Sequence, residues 1–238
     1  MSEYFSANQP HVLAHRGYAA THPENTLGAF AAALEAGATH IETDVHLSRD
    51  GDVVIFHDDA FQGKALIHWD RSELPPYVPT IGEALRAFPT ARFNIDVKSS
   101  HAASALSQII NDENAHDRIL VTSFSRARRR KATAGMSSPV AQSVAASEFV
   151  PALIGAKLGW SWLVKRSLRY VDALQIPMSA LGMSTITPRT MRAFQHAGVH
   201  VHVWTVNDAA HMRQLIALGV NGVVTDETPV AVRTLRTP

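Results

Sequence analysis

Short β-rich runs and helical stretches alternate along the whole chain. Residues 11–17 (HVLAHRG) read as a strand running into a glycine-terminated loop, and residues 25–37 (NTLGAFAAALEAG) as an alanine-rich helix stopped by Gly37. A strand over 40–47, a turn at Arg49-Asp50-Gly51 and a second apolar run over 52–58 form a hairpin signal. A proline-rich linker over 74–79 then leads into a helix over 80–88. The rhythm continues with strands over 92–98, 118–124, 140–145, 173–177, 199–206 and 222–226. Between them lie helices over 101–114 and 125–134, an Ala/Leu/Trp-rich stretch, a helix from Thr187-Pro188 to Gly198, and one over 208–219; a last helix starts at Thr228. About eight strands in βα order predict a single-domain α/β protein of the (β/α)8 TIM-barrel class rather than an open doubly wound sheet. Residues 1–10 read as a polar segment ahead of a barrel domain over 11–238.

Composition narrows the function classes. The 238 residues carry 22 Lys and Arg against 21 Asp and Glu, a net charge of +1, so no overall basic field draws in nucleic acid. The absence of cysteine excludes disulfides, zinc–thiolate sites, iron–sulfur clusters and thiol catalysis. Residues 1–10 lack the charged-then-apolar pattern of a signal peptide, and the most apolar stretch, 149–164, is interrupted by Lys157 and falls short of a membrane span. The expectation is a soluble, cytoplasmic protein.

A barrel of this kind carries its chemistry at the C-terminal ends of the strands. His15 and Arg16 end the first strand, Glu42 and Asp44 lie late in the second, and Asp96 and Lys98 end the third. Ser123, Trp204 and Asp226 end the fourth, seventh and eighth. A period of two puts Glu42 with Asp44 on one strand face, and Asp96 with Lys98 on one face. Three converging carboxylates make a hard oxygen site suited to Mg²⁺, Ca²⁺ or Mn²⁺; without a cation they repel and become partly protonated, or pair with rim cations. His15 and His57 flank the acids and offer a general base and a general acid near neutral pH, or serve as packing imidazoles. Arg16 and Lys98 add fixed positive charge that suits a phosphate, or balances the acids. Together the set describes phosphoryl chemistry on an anionic substrate. Neither a G-x-S-x-G elbow nor a P-loop occurs.

The motifs also carry a family likeness. Residues 15–30 (HRGYAATHPENTLGAF) resemble the opening signature of the glycerophosphodiester phosphodiesterase family, and residues 42–59 (ETDVHLSRDGDVVIFHDD) resemble its second block. NIDVK at 94–98, VHVWTVND at 201–208 and GVNGVVTDETP at 219–229 are similar to its later blocks, in the same order. The resemblance implies a TIM barrel and one divalent cation held by Glu42, Asp44 and Asp96. It implies His15 and His57 as the acid–base pair, and Arg16 and Lys98 on the phosphate. The reaction it implies splits a glycerophosphodiester into glycerol 3-phosphate and an alcohol. Asn25 matches the motif as an organiser of the loop and helix start, and Trp204 reads as a wall against the glycerol or alcohol.

Two features depart from the family pattern. Asp96 stands where the family usually carries Glu, one methylene shorter, and residues 58–79 are short where many members carry a larger insertion. A reduced cap implies a more open mouth and turnover of larger, lipid-bearing diesters, a phospholipase D-like activity on lysophospholipids or sphingolipids. A rival from another class is a non-catalytic barrel that binds phosphodiesters or lipids, with Asp96 marking a decayed site; intact His15, His57, Glu42, Asp44 and Lys98 weigh against it.

Three further segments invite readings of their own. Trp160 and Trp162 with Lys165, Arg166 and Arg169 describe either an interfacial helix making peripheral membrane contact or a barrel helix whose tryptophans cover apolar surface. The run Arg126, Arg128, Arg129, Arg130 and Lys131 reads as a solvated helix face. His200 and His202 share a face with Trp204; a His-x-His zinc pair of the barrel hydrolases belongs on an early strand, so the two read as packing.

Overall fold

In a computed structural model, residues 3–7, 10–20 and 22–236 are described. Eight parallel strands form the barrel: β1 (His11–His15), β2 (His40–Leu47), β3 (Arg92–Val97), β4 (Ile119–Thr122), β5 (Ala141–Gln142), β6 (Ala173–Pro177), β7 (His200–Trp204) and β8 (Gly222–Thr225). Their order is β5-β4-β3-β2-β1-β8-β7-β6, and a parallel bridge between Ser143 and Ala173 joins the two ends into a nearly closed ring. The helices outside are α1 (Leu27–Glu35), α2 (Ile81–Ala87), α3 (Ala102–Asp112), α4 (Arg126–Ala134), α5 (Ala146–Leu158), α6 (Ser161–Leu168), α7 (Pro188–His196), α8 (Ala209–Ala217) and α9 (Thr228–Arg236). Side-chain oxygens start several of them: Thr80 accepts from Glu83 N–H at α2, and Asp208 accepts from His211 N–H at α8.

Alternation along the strands sorts the residues. In β2, Ile41 and Val45 face outward into the strand–helix core with Phe30, Leu85 and Phe93. His40, Glu42 and Asp44 face the barrel axis. A second apolar cluster under α5 to α9 joins Leu153, Phe194, Val201, Val203 and Met212. Register then sets the heights of the inward side chains: His15 is level with Glu42, and Asp44 with Asp96 two residues nearer the mouth, so the four groups occupy two successive levels. Where β8 meets β1 the backbones come close. A Cβ on Gly222 would lie 2.6 Å from the Cβ and carbonyl oxygen of His11, which glycine avoids.

The floor of the barrel is filled from the N-terminus. Glu3–Ser6 forms a 3-10 turn that buries Tyr4 and Phe5 under the strands, each burial contributing roughly 2 kcal/mol. Phe5 stacks on His200 at 4.0 Å and Tyr4 meets His40 at 4.5 Å. Arg92 ties the turn down through Ser6 Oγ at 3.0 Å. The expected polar segment over 1–10 is therefore built into the barrel as its plug, as far as it is described; Met1, Ser2, Asn8 and Gln9 lie outside the described residues. His200 and His202 do face inward, into this floor, 6.0 and 5.3 Å from the His11 ring.

Two other elements differ from expectation. The β5–β6 connection holds two helices, α5 and α6, which meet at residues 158–162 with Gly159 left-handed at φ 82°. The basic run on α4 is only partly solvated. Arg129 is buried, donates to Ser143 O and pairs with Glu148 at 2.7 and 3.0 Å, while Arg128 donates to Val97 O at 3.1 Å. Among the described residues no helix is long and apolar enough to cross a membrane.

Candidate active site

The loop after β1 turns back sharply through left-handed Arg16 (φ 55°) and Gly17 (φ 82°). A Cβ on Gly17 would lie 2.7 Å from the Ala29 carbonyl carbon, so only glycine lets α1 sit this close. The turn aims Arg16 N–H at Glu42 Oε2 (3.2 Å) and carries the Arg16 side chain to Glu24 (2.9 Å) and Asp44 (3.5 Å). Asn25 does not cap α1; Thr26 does, accepting from Ala29 N–H. Asn25, buried and left-handed at φ 57°, instead donates Nδ2–H to Asp44 Oδ2 at 3.1 Å and accepts from Thr43 at 2.7 Å. It orients the carboxylate rather than the helix.

A cavity of about 300 Å³ opens at the mouth, and all eight residues singled out from the sequence line it: His15, Arg16, Glu42, Asp44, His57, Asp96, Lys98 and Trp204. Asn94, Thr122, Gln175 and Phe124 complete walls that sequence reasoning did not assign. Phe124 is 66% exposed and meets Trp204 edge-on at 6.2 Å. No residue from 58–79 lines the cavity; that segment packs its own small core of Leu66, Leu74 and Val78 against Val54.

Both histidines are fixed by carboxylates. His15 Nδ1 donates to Asp226 Oδ1 at 2.6 Å, and His57 Nδ1 to Asp58 Oδ1 at 2.7 Å. A carboxylate only accepts, so each Nδ1 carries the proton and each Nε2 remains for chemistry. His15 Nε2 lies 4.0 Å from Glu42 Oε2. Asp226 is itself oriented by Asn207, which donates from Nδ2 at 2.8 Å and accepts Asp226 N–H at 2.9 Å. The hydrogen bond from His15 holds the Asp226 carboxyl below the usual carboxylate range, with Asn207 assisting. Asp226 was visible in the sequence as a strand-end acid, but nothing there linked it to a histidine 211 positions away.

The acids are buried and crowded. Burial raises the Glu42 pKa well above its ordinary value, and the neighbouring Asp44 and Asp96 raise it further. Burial also raises Asp96, against the pull of Lys98. Lys98 Nζ spans Asp44 Oδ1 at 2.9 Å and Asp96 Oδ2 at 2.8 Å. Burial alone would lower the ammonium pKa; Asp96 and Asp44 outweigh it and hold it raised. Asp96 Oδ1 is buried with no partner. An all-oxygen donor set with mutual repulsion and an orphaned carboxylate oxygen fits a hard divalent cation. Among the described residues, no three His, Asp or Glu groups already close on one point.

The sequence model of the glycerophosphoryl diester phosphodiesterase family matches residues 15–230. The chain belongs to that family. A probable glycerophosphodiester phosphodiesterase of Mycobacterium tuberculosis is 36% identical over 227 residues, 90% of this chain and 86% of its own. The crystal structure of the Thermotoga maritima glycerophosphodiester phosphodiesterase superposes with a TM-score of 0.75 at 28% identity, covering 93% of this chain and 96% of that one. A human lysophospholipase D is 24% identical over 263 residues, 90% of this chain and 82% of its own. Membership of the phosphodiesterase family makes the chain an enzyme, and the matched span begins at His15 and includes every residue of the cavity named above.

Proposed function

We propose that this phosphodiesterase hydrolyses glycerophosphodiesters to glycerol 3-phosphate and an alcohol, with His15 and His57 as acid and base and one divalent cation at Glu42, Asp44 and Asp96. The observation that carries the reading is a pair of imidazoles, each with Nδ1 tied to a carboxylate, beside three acids and two cations in one cavity. Arg16 and Lys98 supply positive charge for the phosphate oxygens. One imidazole Nε2 takes the proton of the attacking hydroxyl, either the glycerol 2-hydroxyl or water. The oxygen–phosphorus bond forms as the phosphorus–alkoxide bond breaks, and the other imidazolium returns a proton to the departing alcohol. Attack by water gives glycerol 3-phosphate directly. Attack by the 2-hydroxyl gives a cyclic glycerol phosphate that water, deprotonated by an imidazole, then opens by displacing the 2-oxygen, which takes up a proton. Asp226 and Asp58 stabilise the imidazolium forms. Mg²⁺, Ca²⁺ or Mn²⁺, when bound, neutralises charge on the phosphoryl oxygens.

The test is glycerol 3-phosphate release from glycerophosphocholine, with EDTA and with each cation, for the wild type and His15→Ala. Release that needs a cation and disappears in the variant is expected. Undiminished release in EDTA would remove the metal from the reading, and an active His15→Ala would remove the histidine.

A second reading is phospholipase D-like turnover of lysophospholipids. The exposed Phe124 at an uncapped mouth supports it, as does the likeness to a lysophospholipase D. Lysophosphatidylcholine turnover comparable to that of glycerophosphocholine is its signature; strict preference for the deacylated diester excludes it.

A further inference from the structure

Charge is unevenly divided along the chain. Between residues 118 and 207 there are twelve Lys or Arg and only two acids, Glu148 and Asp172; the rest of the chain carries the acidic excess. Glu148 is buried and occupied by Arg129 and Arg126. This half of the barrel, from β4 to β7 with α4 to α7, is therefore a positively charged flank on a nearly neutral molecule.

The same flank exposes its largest apolar side chains at the α5–α6 corner. Leu158 is 51%, Trp160 48% and Trp162 63% exposed, so each leaves about half or more of its surface open to solvent. Lys165 and Arg166 follow Trp162 by three and four positions on α6, which places them beside it on one face. Both are exposed, and neither makes an ion pair among the described residues. The Arg189 side chain reaches Gly159 in the corner: a Cβ there would lie 2.8 Å from its Nη2. Arg189 is in the first turn of α7, and α7 starts on the mouth side of the barrel, after β6. The corner therefore sits toward the mouth, as does Leu181 (64% exposed) in the hairpin that follows β6.

We infer that the α5–α6 corner, with Leu158, Trp160 and Trp162 flanked by Lys165 and Arg166, is a docking surface for an anionic lipid bilayer. Tryptophan seats at the headgroup boundary, where its ring is apolar and its N–H stays wet. Leu158 enters the acyl region, and the adjacent cations meet anionic headgroups. An acidic protein would meet the same charge, and wild-type protein that ignores anionic vesicles would assign the corner to one. Docked this way, the mouth lies close to the source of lipid-derived diesters.

Vesicle flotation tests the inference, with equal parts phosphatidylglycerol and phosphatidylcholine against phosphatidylcholine alone. The expected result is binding to the anionic vesicles only, weakened by salt, with a blue shift of tryptophan emission. Removing a cation should weaken binding about fivefold, so Lys165→Glu with Arg166→Glu abolishes it. Trp160→Ser with Trp162→Ser abolishes both binding and the blue shift. Lys165 and Arg166 are exposed, and their variant keeps the wild-type thermal midpoint; the half-buried Trp160 lowers it in the other, whose binding is therefore measured below that midpoint. Wild-type protein that ignores anionic vesicles overturns the inference, as does binding that survives either double substitution. Retention on heparin with no blue shift on vesicles also overturns it, by assigning the flank to a soluble polyanion.

Discussion

Acid should unfold this protein through its floor, and His11→Gln isolates the effect. The His11 imidazole is fully buried, and burial with the nearby His200 lowers its pKa to about 4, against 6.5 in an unfolded chain. His202 and His40 are depressed by burial as well, and each also feels the positive charge of the other rings. Around His11 stand His40, His200, His202 and Arg92, with no carboxylate among the groups that shift it.

The direction follows from which state binds the proton. Above pH 6.5 both states leave the ring neutral and stability is undiminished. Below pH 6.5 the unfolded chain gains protons that the fold refuses, so stability falls until the pH reaches the folded value. For His11 alone the loss by pH 4 is about 3 kcal/mol, at a slope near 1.4 kcal/mol per pH unit. Gln keeps a donor and an acceptor within reach of His202 Nε2, 3.2 Å from His11 Nδ1, and does not titrate. Urea unfolding followed by tryptophan fluorescence from pH 8 to pH 4 gives the slopes. The variant should lose some stability at pH 8, yet show an acid slope about 1.4 kcal/mol per pH unit shallower than wild type. Parallel curves across that range would refute a neutral His11 in the fold.

The remaining expectations concern the mouth and its supports. Asp226→Asn removes the acceptor that fixes His15, and should lower kcat on the order of 10²-fold in steady-state assays with little change in KM. Asp96→Glu restores the longer arm beside Lys98, and should tighten Ca²⁺ or Mg²⁺ binding in calorimetry; unchanged or weaker binding would deny Asp96 a place in the donor set. Arg129→Met leaves Glu148 buried without its bidentate partner, and should cost about 3–5 kcal/mol in denaturant titrations.

Much of this architecture is legible in the sequence because barrel strands announce themselves locally. Residues 40–47 show period-two chemistry, with Ile41 and Val45 for the core and Glu42 and Asp44 for the mouth, and the strand bounds coincide with those in the structure. The eight cavity residues were found because function concentrates polar groups where strands end. What escaped depends on partners far apart in the chain. Asp226 reaches His15 only because β8 closes against β1, and Lys98 meets Asp44 only because β2 and β3 are in register. Tyr4 and Phe5 were invisible as core because the polar residues around them dominate any local average. Arg129 resembled its exposed neighbours on α4, since a buried ion pair leaves no trace in a run of like charges.

The plug also orders events in time. Tyr4 and Phe5 leave the ribosome before every strand of the barrel, yet Phe5 rests on His200 in β7, which follows six other strands. Contacts this distant in sequence form slowly, after the intervening segments have collapsed. The seat for Tyr4 and Phe5 is incomplete until the seventh strand is in place, so a turn that precedes the first strand waits for the barrel to be nearly closed.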